Sequence, residues 1–311
     1  MILSASTRTD IPAFYSEWLI ERIRKGYVLV RNPYNACQVT KYRLDPEVVD
    51  CITLWTKNPI PILSHLKELR PFHPYFFVTI TPYGKEIEPK VPDKRMVIEA
   101  VRQLSKELGK DSLCVRYDPI IITNRYTKEF HEKVFRQLIS VLHGHVTEYV
   151  ISFVDIYEKT KRNFKEAMPL TQDEQEWIAD KFSKIAKEYG IVIKTCAEGI
   201  DLTKYQIENS GCTSRQVMER HLNTSLKQRK LVPDRQYCTC IESKDIGAYN
   251  SCLHGCKYCY ANYSEKAVKS NYLKHDPHSP FLIGELREED YIKLAKQESD
   301  IDGQIRLTFM D

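Results

Sequence analysis

The sequence lacks any run of apolar residues long enough to cross a membrane. Its 311 residues contain no stretch approaching about 18 uninterrupted apolar residues, the length at which a run becomes a candidate membrane-spanning helix. The first ten residues, MILSASTRTD, have no basic stretch followed by a long apolar run, so they do not resemble a secretory signal peptide. These absences exclude helical membrane spans and predict a cytoplasmic protein.

The chain also lacks a large excess of one charge over the other, and it lacks internal repeats. The 46 basic and 42 acidic residues leave a formal net charge of +4, which permits binding to a polyanion but does not predict it. The chain contains no low-complexity tract, heptad run or internal repeat. With 42% hydrophobic residues it can bury a substantial core, and its length suits one large domain or two small ones.

Cysteine, by contrast, is plentiful. Ten cysteines in a cytoplasmic protein favour metal or redox chemistry over disulfides. Cys37, Cys51 and Cys114 stand singly in the sequence, and we expect them to be small buried apolar side chains. The remaining seven, from Cys196 onward, fall into two sets.

Six short apolar runs rich in β-branched and aromatic residues alternate with amphipathic stretches. The apolar runs cover residues 1–6, 49–55, 75–81, 112–117, 149–156 and 191–197. The helix-like stretches between them cover residues 14–26, 59–70, 95–109, 129–144 and 171–190. Near-continuous apolar strands that alternate with helices predict a parallel sheet covered by helices, as an open α/β sheet or a (β/α) barrel.

Polar residues follow each predicted strand. In parallel α/β barrels the carboxyl ends of the strands build the active site, although such residues also cap helices or form turns. The clusters are Arg8-Thr9-Asp10, Thr56-Lys57-Asn58, Thr81 with Tyr83, Arg116-Tyr117-Asp118, Asp155 with Tyr157, and Lys194 to Glu198.

The first cysteine set lies in the segment CLHGCKYCYAN. It comprises Cys252, Cys256 and Cys259, with Tyr258 directly before the last thiol. Three thiolates at this spacing can hold three irons of a [4Fe–4S] cluster and leave the fourth iron without a protein ligand. An open metal position is typical of catalytic sites. The alternative is a zinc knuckle or a set of structural cysteines.

The second set comprises Cys196, Cys212, Cys238 and Cys240. Four thiolates suffice for a fully ligated auxiliary [4Fe–4S] cluster or for a structural tetrahedral zinc, and cysteines without a metal are the third possibility. Residues 199–250 carry few strand or helix signals. We therefore predict an irregular segment there that is organised by metal rather than by a core.

Several long motifs together resemble a known family. SASTRTDIPAFY, VDCITLWTKNP, LCVRYDPI, KTCAEGIDL and DIGAYNSCLHGCKYCYAN are similar to the domain-of-unknown-function family 1848 over nearly the whole chain. The YCYA loop, WTKNP and VRYDPII also resemble the spore photoproduct lyase group of radical S-adenosylmethionine (SAM) enzymes. The resemblance implies a [4Fe–4S] cluster whose open iron binds SAM, and an electron donor such as flavodoxin or ferredoxin. It brings no known substrate; nucleic acid is the class suggested by spore photoproduct lyase, but no aromatic-basic run supports it.

The resemblance also implies roles for polar residues in SAM binding. Arg116 is the first choice for the SAM carboxylate, because a guanidinium matches it bidentately; Lys57 and Arg8 follow. Asp118, Asp155 or Glu198 would accept hydrogen bonds from the ribose or the amino group. Tyr258 would support the adenine, mainly through its backbone; the alternative for its ring is a packing role. Alternatively, Arg116 and Asp118 form a structural ion pair.

The position of the cluster loop predicts a rearranged topology. In an ordinary radical SAM barrel the loop follows the first strand, whereas here it lies near the carboxyl end of the chain. We therefore expect a (β/α)6-type partial barrel, circularly permuted, with DIGAYNS as a strand beside MILSAS and residues 263–272 as the next helix. Residues 1–198 would form barrel units, 199–250 the cysteine-containing segment, and 251–311 the cluster loop, helix and tail, all in one structural domain.

The predicted function is a radical SAM enzyme that cleaves SAM to start radical chemistry. The alternative is a cysteine-rich zinc or iron–sulfur binding module in nucleic-acid binding or redox sensing.

Overall fold

The structure, a computed structural model, describes residues 1–156, 158–227 and 237–303. The strands in these ranges are β1 (Ile2–Ala5), β2 (Tyr27–Asn32), β3 (Asn35–Arg43), β4 (Cys51–Thr56), β5 (Tyr75–Thr79), β6 (Leu113–Ile120), β7 (Glu148–Phe153), β8 (Val192–Thr195), β9 (Glu208–Asn209), β10 (Ser243–Asp245) and β11 (Tyr291–Leu294). The helices are α1 (Ile11–Phe14), α2 (Ser16–Lys25), α3 (Leu66–Leu69), α4 (Lys94–Leu108), α5 (Lys128–Leu142), α6 (Glu158–Asn163), α7 (Gln172–Tyr189), α8 (Arg215–Leu222) and α9 (Glu265–Tyr272).

Eight of the strands form one parallel sheet. Their order is β10-β1-β4-β5-β6-β7-β8-β9, and every pairing between neighbours is parallel. The mixed α/β class and the parallel sheet are therefore confirmed. Apart from β10, each later strand of this sheet lies beside the sheet strand that comes before it in the chain, so the sheet is wound in one direction.

The strand β10 lies beside β1, although the two strands are near opposite ends of the chain. It pairs with β1 in parallel, with Ile2 opposite Ser243 and Ser4 opposite Asp245. The strand that leads into the cluster loop thus lies beside the N-terminal strand, as the sequence predicts. It ends at Asp245, where the predicted strand DIGAYNS begins, so the prediction placed it a few residues late.

The two faces of the sheet are covered differently. One face packs against α2, α3, α4, α5 and α7 through alternate residues such as Leu54, Phe76 and Val115. The other face carries Cys51, Tyr75, Phe77 and Cys114. There the covering comes from α8, through Val217 and Met218, and from the cysteine-containing segment. Helices thus cover one face, whereas α8 and the cysteine-containing segment cover the other, which we call the inner face.

The long helices begin and end at the predicted signals. Thr171 and Glu174 form a capping box at the start of α7, and Thr127 caps α5 through its side chain. In contrast, most of residues 59–70 form 3-10 turns rather than a continuous α-helix, and prolines at 59 and 61 account for this.

Two parts of the chain are more ordered than the sequence predicts. β2 and β3 form an antiparallel hairpin that pairs with β11 in a separate three-stranded sheet. The segment 199–250 is not wholly irregular, because β9, α8 and β10 lie in it. Cys37 lies on β3 and is exposed, so the prediction that it is buried is wrong. Cys51 and Cys114 are buried as expected.

Candidate functional site

The cluster loop lies at the carboxyl ends of β10 and β1. Ile246 donates its N–H to the carbonyl of Ser4 at 3.0 Å, and the Tyr15 hydroxyl donates to the carbonyl of Ser251 at 2.6 Å. The Tyr260 hydroxyl, after the last thiol, bonds to the carbonyl of Thr7. The loop is therefore fixed against the N-terminal strand from both of its sides.

The backbone of the loop turns sharply between its thiols. Gly255 has a φ of +72°, a conformation that L side chains rarely adopt. The N–H of Cys259 donates to the carbonyl of Cys256 at 3.1 Å, and the Asn262 amide donates to the carbonyl of Cys252 at 2.7 Å. These contacts gather the three cysteines on one short turn.

A buried His–Asp pair connects this loop to the sheet. His254 Nε2 lies 2.7 Å from Asp10 Oδ2, and both residues are buried. The same carboxylate accepts from the backbone N–H of Lys57 at 2.7 Å and from that of Ala13 at 3.0 Å. Asp10 thus joins the loop, the end of β4 and the start of α1. Nδ1 of His254 is buried without a hydrogen-bond partner in the part of the chain that the structure describes.

Glu88 is the centre of a second buried network beside the loop. Its side chain is 1% exposed and forms ion pairs with Lys57, at 2.8 Å, and with Lys94. It also accepts from Thr81 Oγ1 at 2.7 Å and from the Tyr258 hydroxyl. Burial alone would raise the pKa of Glu88, but the two lysines outweigh it and lower the pKa to about 2. The carboxylate is therefore charged at neutral pH.

Lys57 brings a positive charge to the loop thiols. Its Nζ lies 5.5 Å from the centre of the Tyr258 ring. Burial lowers the pKa of Lys57, but Glu88, Cys256 and Asp118 raise it by more, so it lies above its usual value. A cation fixed at this point can offset negative charge on thiolates.

The predicted SAM-binding residues fall into separate groups. Lys57 and Tyr258 lie together at the loop, and Arg8 is next to it, in an ion pair of 3.5 Å with Asp245 at the end of β10. Glu198 accepts from the backbone N–H of Phe153 at 2.9 Å, at the end of β7. Asp155 is also described, whereas Tyr157 lies outside the described residues.

Arg116 and Asp118 lie on the inner face near the second cysteine set. Arg116 Nε donates to Asp118 Oδ2 at 3.0 Å, and its guanidinium lies 5.1 Å from the Trp55 ring. Burial lowers the pKa of Arg116, but Asp118, Cys196 and Cys212 raise it by more. The predicted structural ion pair is therefore present, and Lys57, rather than Arg116, lies beside the loop thiols.

The four cysteines of the second set come together although the chain separates them widely. Cys196 Sγ lies 3.5 Å from Cys212 Sγ, which lies 3.5 Å from Cys240 Sγ. Cys238 contacts Cys240 through its thiol. In the described ranges no group of three or more Cys, His, Asp or Glu side chains is arranged to hold a metal ion, so these sulfurs touch in pairs without surrounding a common metal position.

Sequence reasoning missed Glu88, Lys94 and His254. Glu88 and Lys94 both lie in the charged, proline-containing segment EIEPKVPDK, whose apolar residues show no periodicity that would indicate burial. His254 lies inside the cysteine loop, and its position between Cys252 and Cys256 was the one available signal. Asp10 was included only as part of a strand-end cluster.

Comparison with known proteins identifies a family but no activity. Residues 2–261 match the family described as "Domain of unknown function (DUF1848)". No curated protein matches the chain. A putative alpha-L-fucosidase from Bacteroides thetaiotaomicron is 14% identical, covers 56% of this chain and 80% of its own, and superposes with a TM-score of 0.26, which is too loose to assign a fold or an activity. None of the helices in the described part of the chain has the length and apolar character needed to cross a membrane.

Proposed function

The chain belongs to the domain-of-unknown-function family DUF1848, and from its cysteine loop we propose that it is a radical SAM enzyme. The observation that carries the proposal is the place of Cys252, Cys256 and Cys259. They lie in the loop that follows the parallel strand β10, at the carboxyl edge of the sheet, where α/β proteins build their active sites. With a [4Fe–4S] cluster and SAM bound, the chemistry supplied is reductive cleavage of SAM, which starts radical chemistry on a substrate.

The donor set of the loop suits such a cluster. In a cubane each thiolate binds a different iron, so the sulfurs need not touch. The pKa of Cys252 is raised by burial first, and then by Asp10, Cys259 and Cys256, so the three thiols lie within electrostatic reach of one another. Among the described residues, no hydrogen bond joins their sulfurs, in contrast to the second set. A loop that supplies three thiolates leaves one iron for SAM.

The neighbouring residues would hold and charge-balance this site. Lys57 offsets negative charge on the thiolates, and Glu88 fixes Lys57 beside the Tyr258 ring. His254 and Asp10 fix the loop against β1 and β4. Lys57 and Arg8 are the cations placed to meet the SAM carboxylate, because they lie at the loop, whereas Arg116 lies near the second cysteine set.

Side chains of alternate strands meet across the inner face. Trp55 on β4 meets Arg116 on β6 at 5.1 Å, and Tyr75 on β5 donates to Glu148 on β7 at 3.3 Å. In each pair one strand intervenes, and the long side chains span the gap between the outer two. The one-directional strand order favours a permuted partial barrel with its substrate inside. The proposed partners are SAM and an electron donor such as flavodoxin or ferredoxin, in a reducing compartment such as the cytoplasm.

Anaerobic reconstitution tests the proposal. Wild-type protein reconstituted with iron and sulfide should turn brown and, after dithionite reduction, convert SAM into 5′-deoxyadenosine. Cys256→Ala should lose this activity, whereas Cys37→Ala, at an exposed position, should retain it. A brown protein that never cleaves SAM would favour an iron–sulfur module without this activity, and a colourless protein with zinc alone would contradict the proposal.

A further inference from the structure

The second cysteine set has a geometry of its own. Successive sulfur–sulfur distances of 3.5 Å join Cys196 to Cys212 and Cys212 to Cys240, and Cys238 contacts Cys240. Cys196 and Cys212 are buried. The four thiols thus form one compact group on the inner face of the sheet.

These distances distinguish between two kinds of metal centre. Four thiolates around one zinc ion, at about 2.3 Å each in a tetrahedron, lie about 3.8 Å from one another. In a cubane each thiolate binds a separate iron, so the thiolates lie much further apart. We propose that Cys196, Cys212, Cys238 and Cys240 bind one tetrahedral metal ion, zinc by preference, rather than an auxiliary cluster. This inference does not depend on the proposed radical SAM activity.

The backbone of residues 211–213 packs closely against Cys240 and its sulfur. A Cβ at Gly211 would lie 2.5 Å from the backbone nitrogen of Cys240 and 2.8 Å from its Sγ, so only glycine fits there. The N–H of Thr213 donates to Cys240 Sγ at 3.4 Å, which stabilises a thiolate. The N–H of Ile241 donates to the carbonyl of Thr213 at 3.0 Å and closes the same turn.

A buried arginine lies beside the four thiols. Four thiolates and one Zn²⁺ carry a net charge of −2, and a buried charge requires a partner. Arg116 is buried. Burial lowers its pKa, but Asp118, Cys196 and Cys212 raise it by more. Its Nη1 has no hydrogen-bond partner within the described ranges. Arg116, which is paired with Asp118 through Nε and Nη2, is therefore placed to donate a hydrogen bond from Nη1 to a thiolate of this centre.

The position of the group in the fold gives the ion a structural role. Cys196 follows β8, Cys212 follows β9, and Cys238 and Cys240 come just before β10. β9 and β10 are the two ends of the strand order. One ion held by all four would therefore tie the two ends of the sheet together. Because no such group in the described ranges is yet arranged around a common metal position, binding requires the cysteine side chains to rotate and each thiol to lose its proton.

Metal analysis of paired variants tests the inference. Wild-type protein expressed with zinc should contain about one zinc per chain. Cys212→Ser should lose that zinc while the loop retains its iron after reconstitution, and Cys256→Ser should lose the loop iron while it retains the zinc. Cys37→Ser, the exposed control, should change neither. If the radical SAM proposal fails, the zinc result stands by itself.

Cobalt substitution provides a readout that is independent of activity. Co²⁺ in the full-length protein should give the intense visible absorption of a tetrahedral thiolate site, and this absorption should disappear in Cys212→Ser. Cys238→Ser, at a half-buried position, keeps three thiols and should bind zinc more weakly in a chelator competition even if Cys212→Ser misfolds. Loss of iron instead of zinc in these variants, or a disulfide among the four thiols in freshly purified reduced protein, would overturn the inference.

Discussion

The two cysteine sets of this protein differ in how the chain supplies them and in what surrounds them. Cys252, Cys256 and Cys259 come from one short loop, next to the ionic network of Lys57 and Glu88. The second set comes from three distant segments, and its sulfurs touch one another beside apolar residues of α8. Separated thiols beside a charged network suit a catalytic cluster, whereas touching thiols in a packed cover suit a structural ion.

Replacing Glu88 should have the largest effect among the changes that separate these two sites. Glu88→Gln leaves the buried cations Lys57 and Lys94 without their partner, so the free energy of unfolding should fall by about 3 kcal/mol. Urea denaturation measures this loss. Glu99→Gln, whose side chain is 58% exposed, should stay within about 0.5 kcal/mol of the wild type. The Glu88 variant should weaken iron binding at the loop and leave the zinc content unchanged; an equal loss at both sites would remove the distinction.

The pH dependence of stability should identify the same carboxylate. The pKa of Glu88 is lowered from 4.5 to about 2, so its stabilisation is complete above the pKa of the unfolded chain and is lost as the pH falls towards 2. The difference in unfolding free energy between wild type and Glu88→Gln should therefore be constant from neutral pH to about pH 5, and then shrink by about 3 kcal/mol. A difference that grows on acidification would contradict this assignment.

A smaller effect is expected at the pair that fixes the loop to the sheet. Asp10→Asn keeps an oxygen that can cap α1 but places N–H groups opposite the Lys57 N–H or His254. We expect a loss of about 1–2 kcal/mol and iron release to a chelator about 10–100-fold faster. Asp93→Asn changes the N-cap of α4 in the same way and serves as the matched control. Equal iron release from both variants would show that Asp10 acts only as a cap.

The smallest effect should come from a hydroxyl of the loop. Tyr258→Phe removes the hydrogen bond to Glu88 but keeps the ring over Lys57, so the free energy of unfolding should fall by about 1 kcal/mol. Iron content should remain at the wild-type level. Tyr260→Phe is a matched change two residues along, at an exposed side chain. A Tyr258 variant that loses its iron would mean that the hydroxyl, rather than the thiols and Lys57, controls cluster binding.

The sequence predicted those features that depend on local patterns. Six sheet strands, the long helices with their caps at Thr127 and Thr171, and the adjacency of the loop strand to β1 follow from periodicity, capping and order along the chain. The hairpin β2–β3 was missed, because its residues 27–43 mix apolar and charged residues and its edge is paired by β11, far away in the chain.

The candidate site was predictable only in part for a similar reason. The spacing of Cys252, Cys256 and Cys259 is visible in eight residues, whereas the burial of Glu88 depends on Lys57, Lys94 and Tyr258 arriving from other segments. The membership of the second set was predictable by counting cysteines. Its sulfur–sulfur distances, which favour one ion, depend on how β8 and the segment before β10 pack.

The most direct test of the account is whether SAM binds to an iron of the loop cluster. In electron paramagnetic resonance spectra of the anaerobically reduced wild-type protein, SAM should change the cluster signal, because it would bind an iron that no thiolate occupies. The signal and its response should both be lost in Cys256→Ala and remain in Cys212→Ser. A wild-type cluster signal that is identical with and without SAM would contradict the proposal that this protein is a radical SAM enzyme.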